Sequence, residues 1–165
     1  LDMITRGSIH YVNEQINQGV DAFMIFDTWG GLLAKNDYYN YSLKYIEKII
    51  SSTNRHDIPI IYYSRSNTNF ESLKNMGIDC VGISSDNNLG DIYNLFDQKI
   101  ALQGNLNTEV LKQENSVIKK EINKTLKSFP NDTGHVFNLG SGITPDIHPD
   151  KVAFLIDQVN EISSK

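Results

Sequence analysis

Five short apolar runs, separated by longer amphipathic segments, constrain this chain more than any other feature. The runs occupy residues 22–26, 58–63, 80–83, 100–102 and 136–139. Each has the length of a strand and is rich in aliphatic or aromatic residues. Unbroken apolar runs of this kind suit strands covered on both faces, as in parallel sheets. Between them, Tyr38, Ser42, Tyr45, Ile46, Ile49 and Ile50 fall at helical spacing. So do Phe70, Leu73 and Met76, with Gly77 where a glycine would stop the helix. Val117, Ile118, Ile122 and Leu126 form another stripe, and Val152, Leu155, Ile156, Val159 and Ile162 a further one, with Pro149 near its start. Residues 8–18, carrying Ile9, Val12 and Ile16, are a weaker helix candidate. Strand followed by helix, repeated five times, predicts βαβ units with right-handed crossovers. An open doubly wound sheet and a closed barrel satisfy this pattern equally.

Composition removes several function classes. The net charge of −5 argues against a non-specific nucleic-acid binder, which is normally basic. No apolar run reaches the ~18 residues of a membrane span, so no membrane partner is expected. No basic segment followed by an apolar one marks a secretory leader. The single cysteine, Cys80, cannot build a disulfide framework or a thiolate zinc site by itself, and in its apolar run it reads as a buried small hydrophobe. A cytoplasmic location is the resulting expectation. His10, His56, His135 and His148 are scattered, without Cys or acidic partners at ligand spacing. They read as surface or loop histidines, and no metal is expected.

In both parallel architectures, active residues lie just after the strand C-termini. That rule selects residues 27–31, 64–66, 84–86, 103–106 and 140–146. Gly140-Ser141-Gly142 lacks the third glycine of a dinucleotide fingerprint, so it reads as a tight turn. No Gly-x-Ser-x-Gly elbow supports a hydrolase triad. Pattern alone therefore gives a parallel α/β protein with ligand-binding loops and no reaction.

At these same loops the sequence resembles the uroporphyrinogen decarboxylase family. Gly19-Val20-Asp21-Ala22 followed by Phe26-Asp27-Thr28-Trp29-Gly30-Gly31 is similar to that family's G-A-D-A…F-D-[ST]-W-x-G strand and loop. Ala101-Leu102-Gln103-Gly104-Asn105-Leu106 resembles its A-L-Q-G-N-L-D segment. The stretch from Gly134-His135 through Gly140-Ser141-Gly142-Ile143, with Pro145-Asp146 and Pro149, resembles G-H-I-F-N-L-G-H-G-I-x-P-x-x-x-P. The resemblance covers nearly the whole chain. It implies a single (β/α)₈-barrel (TIM barrel) domain in which residues 1–165 supply roughly the last five βα units. A barrel usually takes ~250 residues, and this chain begins with Leu1, so a longer protein with its first strands upstream is expected. The family's main acid–base and pyrrole-binding residues would lie in that upstream part, leaving the catalytic residues of this chain unknown.

The resemblance also implies which residues here meet substrate. Thr28 holds the hydroxyl position after Phe26-Asp27 and would hydrogen-bond a substrate carboxylate; a turn threonine is the alternative. Phe26 would form pocket wall beside the macrocycle, or simply core. Ser141 stands where the family usually has His, keeping a hydroxyl but losing the imidazole's reach and charge. Arg65 follows the second strand, where relatives often carry a cation, and an octacarboxylate substrate needs cations. Ser84-Ser85 replaces an Asp-Trp common in relatives. The implied activity is cofactor-independent removal of four acetate carboxyls from uroporphyrinogen III, with a small tetrapyrrole as the partner and a homodimer as the assembly common among relatives. Two alternatives stand beside it. Corrinoid-dependent methyltransferases of the same superfamily bind zinc through a His-x-Cys, whereas the matching strand here ends Tyr62-Tyr63-Ser64-Arg65. A non-catalytic relative that binds a tetrapyrrole or another anion is the second.

Overall fold

The computed structural model describes residues 1–65, 69–130 and 134–163. Residue 66, the end of the loop expected after the second strand, lies outside them. Five parallel strands form one sheet: β1 (Phe23–Phe26), β2 (Ile60–Tyr63), β3 (Cys80–Gly82), β4 (Ala101–Leu106) and β5 (His135–Leu139). Their spatial order is their chain order, β1-β2-β3-β4-β5. A doubly wound sheet reverses its strand order at a switch point. This one does not reverse, which decides the question left open by pattern in favour of an arc of a (β/α)₈ barrel.

The helices are α1 (Asp2–Asn17), α2 (Lys35–Tyr38), α3 (Lys44–Ser52), α4 (Leu89–Leu95), α5 (Asn115–Ser128) and α6 (Pro149–Ser163). Strand side chains alternate between the two faces of the sheet. Ile60, Tyr62, Val81, Ile83, Leu102 and Leu106 are at most 2 % exposed. They belong to two apolar cores, one built around the sheet from β1 to β4 with Leu43, Ile46, Leu89 and Ile92, the other around Leu106 with Ile118, Ile122 and Leu155. The alternate positions lie on the opposite face, and there Phe26 is 68 % exposed and Val136 49 %. The helix-covered face is thus the outer layer of a barrel, and the open face its interior.

Several elements depart from their sequence expectation for identifiable reasons. Helix α1 begins six residues before residue 8 because its apolar spacing is sparse: of its side chains only Thr5 and Ile16 are buried. The segment 38–50 is helical but includes a π-helical turn, Tyr39–Leu43. The buried stripe is therefore Tyr38, Leu43, Ile46 and Ile50, with a five-residue step that a π turn produces. Phe70, Leu73 and Met76 are buried as expected, but only Phe70–Leu73 forms a helix, and a 3₁₀ one. Helix α4 was not foreseen; its Asn88 side chain accepts from the Asp91 amide, a regular N-cap. Strand β4 runs to Leu106 and so absorbs residues 103–106, expected as a loop. Its burial alternates, with Leu102 and Leu106 buried beneath the helices and Gln103 lining the interior, while Asn105 donates to the Ser84 and Asn87 carbonyls of the loop after β3. His135 is the first residue of β5 rather than a loop histidine. It is half-buried, stacks on Phe129 and hydrogen-bonds the Gly104 carbonyl at 2.6 Å, and burial lowers its pKa.

Candidate functional site at the carboxyl ends of the strands

A cavity of about 270 Å³ opens on the interior face of the sheet. Its walls come from β1 (Met24, Phe26), β2 (Tyr63), β3 (Gly82), β4 (Gln103) and the loop after β5 (residues 140–143). Two of the four residues singled out from sequence, Phe26 and Ser141, meet in this wall, although 115 positions apart in the chain (141 − 26). Thr28 and Arg65 are not part of it. Thr28 lies in the loop after β1, half-buried, and its hydroxyl makes no hydrogen bond among the described residues. The Arg65 guanidinium sits over the ring of the exposed Trp29, 5.7 Å from its centroid. That stacking holds the cation beside the Thr28 loop, at an energy of ~0.5–1 kcal/mol for an exposed pair.

Tyr63 organises the cavity and was missed from sequence. Its ring meets Phe26 edge-on at 6.1 Å and crosses β3 so that its hydroxyl donates to the Gly140 carbonyl at 3.2 Å. Only glycine fits beneath it: a Cβ at Gly82 would lie 2.9 Å from the ring. Burial raises the Tyr63 pKa, with Arg65 acting in the opposite sense, so the phenol remains a donor at neutral pH. The signal that could have found it is the alternation within Ile60-Ile61-Tyr62-Tyr63, which sends the two tyrosines to opposite faces.

Behind the strand ends, Asp27 anchors the loop after β1. Its Oδ2 accepts from Ser42 Oγ at 2.6 Å and from Tyr62 Oη at 2.8 Å. The loop folds tightly over this carboxylate. The Gly30 amide donates to the Asp27 carbonyl at 3.2 Å, and a Cβ on Gly30 would stand 2.0 Å from Oδ2. The Gly31 amide donates to Ser64 Oγ at 2.9 Å, tying the β1 loop to the β2 loop.

The loop after β5 is held differently. The buried Thr108 hydroxyl donates to the Ser141 carbonyl at 2.9 Å and also lies 2.9 Å from Ser141 Oγ. A threonine hydroxyl has one proton. With that proton on the carbonyl, Ser141 donates its own to Thr108 and offers lone pairs to the cavity. Lys112, from the 3₁₀ helix Thr108–Lys112 that follows β4, adds an ion pair to Asp146 at 2.8 Å. Among the described residues no group of three or more His, Cys, Asp or Glu is placed to hold a metal ion. Burial pushes the Cys80 thiol up to about 12, so it is not a nucleophile at neutral pH. No helix among the described residues is long and apolar enough to cross a membrane.

The family model described as uroporphyrinogen decarboxylase (URO-D) matches residues 1–162. A uroporphyrinogen decarboxylase of Ruthia magnifica subsp. Calyptogena magnifica is 42% identical over 170 aligned residues, covering 100% of this chain and 49% of the relative. One of Legionella pneumophila (strain Paris) is 40% identical over 156 residues, covering 93% and 44%. The chain thus spans about half the length of these relatives. Among solved structures, a methyltransferase from Methanosarcina mazei superposes with a TM-score of 0.80 at 22% identity, covering 98% of this chain and 48% of that one. At that identity the likeness bears on the fold alone.

Proposed function

This chain belongs to the uroporphyrinogen decarboxylase family, and from that premise we propose that it is the carboxyl-terminal portion of an enzyme that converts uroporphyrinogen III to coproporphyrinogen III. The observation that carries the reading is the meeting of Phe26 and Ser141 in one cavity wall at the carboxyl ends of the strands. These are two positions from separate family motifs, and active sites of parallel barrels lie at this end. Cytoplasmic haem formation is the setting that this activity implies.

The reaction asks little of a cofactor and much of positioning. Protonation of a pyrrole α-carbon turns the ring into an electron sink. The C–C bond to the acetate carboxylate then breaks, its electron pair enters the ring and carbon dioxide leaves. The resulting methylene takes a proton to become methyl, and the ring returns its added proton. In this chain Phe26 and the Tyr63 ring supply an apolar wall against the macrocycle. Thr28 offers its hydroxyl to a substrate carboxylate, and Arg65, steadied on Trp29, offers a cation beside it. A hydrogen bond to a charged group is worth ~1.5–3 kcal/mol. Proton donors and the group that meets the pyrrole nitrogens are assigned to the remainder of the enzyme, where positioned acid–base groups typically contribute ~10²–10⁴-fold.

The test is incubation of the complete protein with uroporphyrinogen III. Carbon dioxide release with stepwise appearance of hepta- to tetracarboxylate porphyrinogens, separated chromatographically after oxidation, is the expected result. Binding without carbon dioxide release would point to a non-catalytic tetrapyrrole binder. Methyl transfer to a thiol together with stoichiometric bound zinc would point to the methyltransferase chemistry instead.

A further inference from the structure

Residues 27–31 are held at both ends by hydrogen bonds to hydroxyls outside the loop. At one end the Gly31 amide donates to Ser64 Oγ. At the other, the Tyr38 and Tyr62 hydroxyls are hydrogen-bonded to each other, and Tyr62 donates to Asp27 Oδ2 at 2.8 Å. A phenol has a single proton, which fixes the direction of this relay. Tyr62 gives its proton to Asp27, so Tyr38 donates to Tyr62, and both bonds point towards the Asp27 carboxylate. Ser42 Oγ supplies a second donor to the same oxygen.

Both anchors are buried: Tyr62 is 0 % exposed, Tyr38 1 % and Ser64 3 %. The anchoring hydroxyls come from β2, α2 and the loop after β2, and Ser42 from the π turn between α2 and α3. The residues between the two anchors are Thr28, Trp29 and Gly30. Thr28 alone among these carries a hydroxyl, and that hydroxyl is not used by either anchor. A pair of buried phenols that merely satisfied each other would not need a carboxylate at its terminus.

We propose that these two anchors are a positioning device for the ligand-facing loop, in which Asp27 and Tyr62 set the place of Thr28 without touching substrate. The inference rests on the reading of Thr28 as a substrate-carboxylate ligand. It adds that Asp27, Tyr62, Tyr38 and Ser64 are positioning residues acting through it.

The complete protein is compared with Asp27→Asn, Tyr62→Phe and the milder Ser64→Ala by hydrogen–deuterium exchange and by uroporphyrinogen decarboxylation, each alone and combined with Thr28→Val. Peptides over residues 27–31 are expected to exchange about tenfold faster in the anchor variants while β3 and β4 keep their protection. The loss in kcat/KM is expected to be about tenfold, carried mainly by KM, and to vanish in the Thr28→Val background, where there is no hydroxyl left to place. Unchanged exchange at 27–31 would overturn the proposal. So would losses that multiply with that of Thr28→Val, because a merely structural role would act on any background. If the unsubstituted protein releases no carbon dioxide, the functional reading fails, while the exchange measurement still decides whether the two anchors hold the loop.

Discussion

The loops after β1 and β5 each present a hydroxyl to the same end of the barrel, yet they divide the work differently. In the β1 loop, anchoring falls to Asp27, which takes Ser42 and Tyr62 as donors, and presentation falls to Thr28, whose hydroxyl makes no hydrogen bond among the described residues. In the β5 loop both duties fall on Ser141, whose carbonyl and hydroxyl are both engaged by Thr108. A hydroxyl already donating inside the protein must break that bond before it can donate to a ligand. The β1 loop therefore keeps a hydroxyl available to a ligand, and the β5 loop, with Ser141 engaged by Thr108, forms wall.

The largest expected effect comes from Gly30→Ala. Its new Cβ would meet Asp27 Oδ2 at 2.0 Å, so either the carboxylate or the loop must move. Overpacking of this kind costs ~1–3 kcal/mol, read as a lower thermal midpoint. Activity should fall at the same time, because the displaced carboxylate loses Tyr62 and Ser42. A stable, fully active Gly30→Ala enzyme would break the assignment of anchoring to Asp27. Thr28→Val comes next and separates the two duties. It removes a hydroxyl that no other described residue hydrogen-bonds, so stability should hold. Losing one hydrogen bond to a carboxylate, ~1.5–3 kcal/mol, lowers kcat/KM by roughly 10- to 150-fold.

The β5 loop should respond in the opposite sense. Thr108→Val deletes both bonds to Ser141 from a buried position and should cost about 1 kcal/mol of stability. Ser141→Ala leaves the bond from Thr108 to the Ser141 carbonyl intact and should cost less, with less than about threefold change in kcat/KM. Denaturant midpoints and decarboxylation kinetics on the same preparations rank the pair. A Ser141→Ala loss as large as that of Thr28→Val would mean that Ser141 turns its hydroxyl to substrate, and the contrast between the loops would collapse.

How much of this was legible beforehand follows from what each signal encodes. The strands were readable because five apolar runs are a local property of composition, and every one became a strand. Helix α4 was not, since a seven-residue helix carries barely two turns of periodicity and leans on its Asn88 cap and on the sheet beneath it. The π turn escaped because a helical wheel assumes one period, while Tyr38 to Leu43 takes a step of five. Phe26 and Ser141 were named through motifs and do share a cavity. Asp27 lay in the same quoted motif but without a role, because its donors Ser42 and Tyr62 are 15 and 35 positions away. Tyr63 escaped in the same way: its partner Gly140 is 77 positions distant, and only the sheet brings them together. Sequence reading thus finds residues whose meaning is local or motif-bound, and misses those whose role is a contact made across strands.

The smallest effect concerns the second tie on the β5 loop. Lys112, bonded to Asp146, holds that carboxyl down at about 2. A carboxyl with a lowered folded pKa favours the folded state above its unfolded value of ~3.9, and the benefit disappears as pH falls through the folded value. The pair should therefore support the fold at neutral pH and lose its contribution between about pH 4 and pH 2. Both partners are solvent-facing, so screening keeps its weight small. In Lys112→Met the Asp146 carboxyl should titrate nearer ~3.9 by carbon-detected NMR, with almost no change in the denaturant midpoint at neutral pH. Hydrogen exchange over residues 140–143 then ranks the two ties. Protection that survives Lys112→Met but falls in Thr108→Val leaves the hydroxyl pair as the anchor of the β5 loop. The reverse would move the anchor to Asp146 and free Ser141 to face a ligand, making the two loops alike.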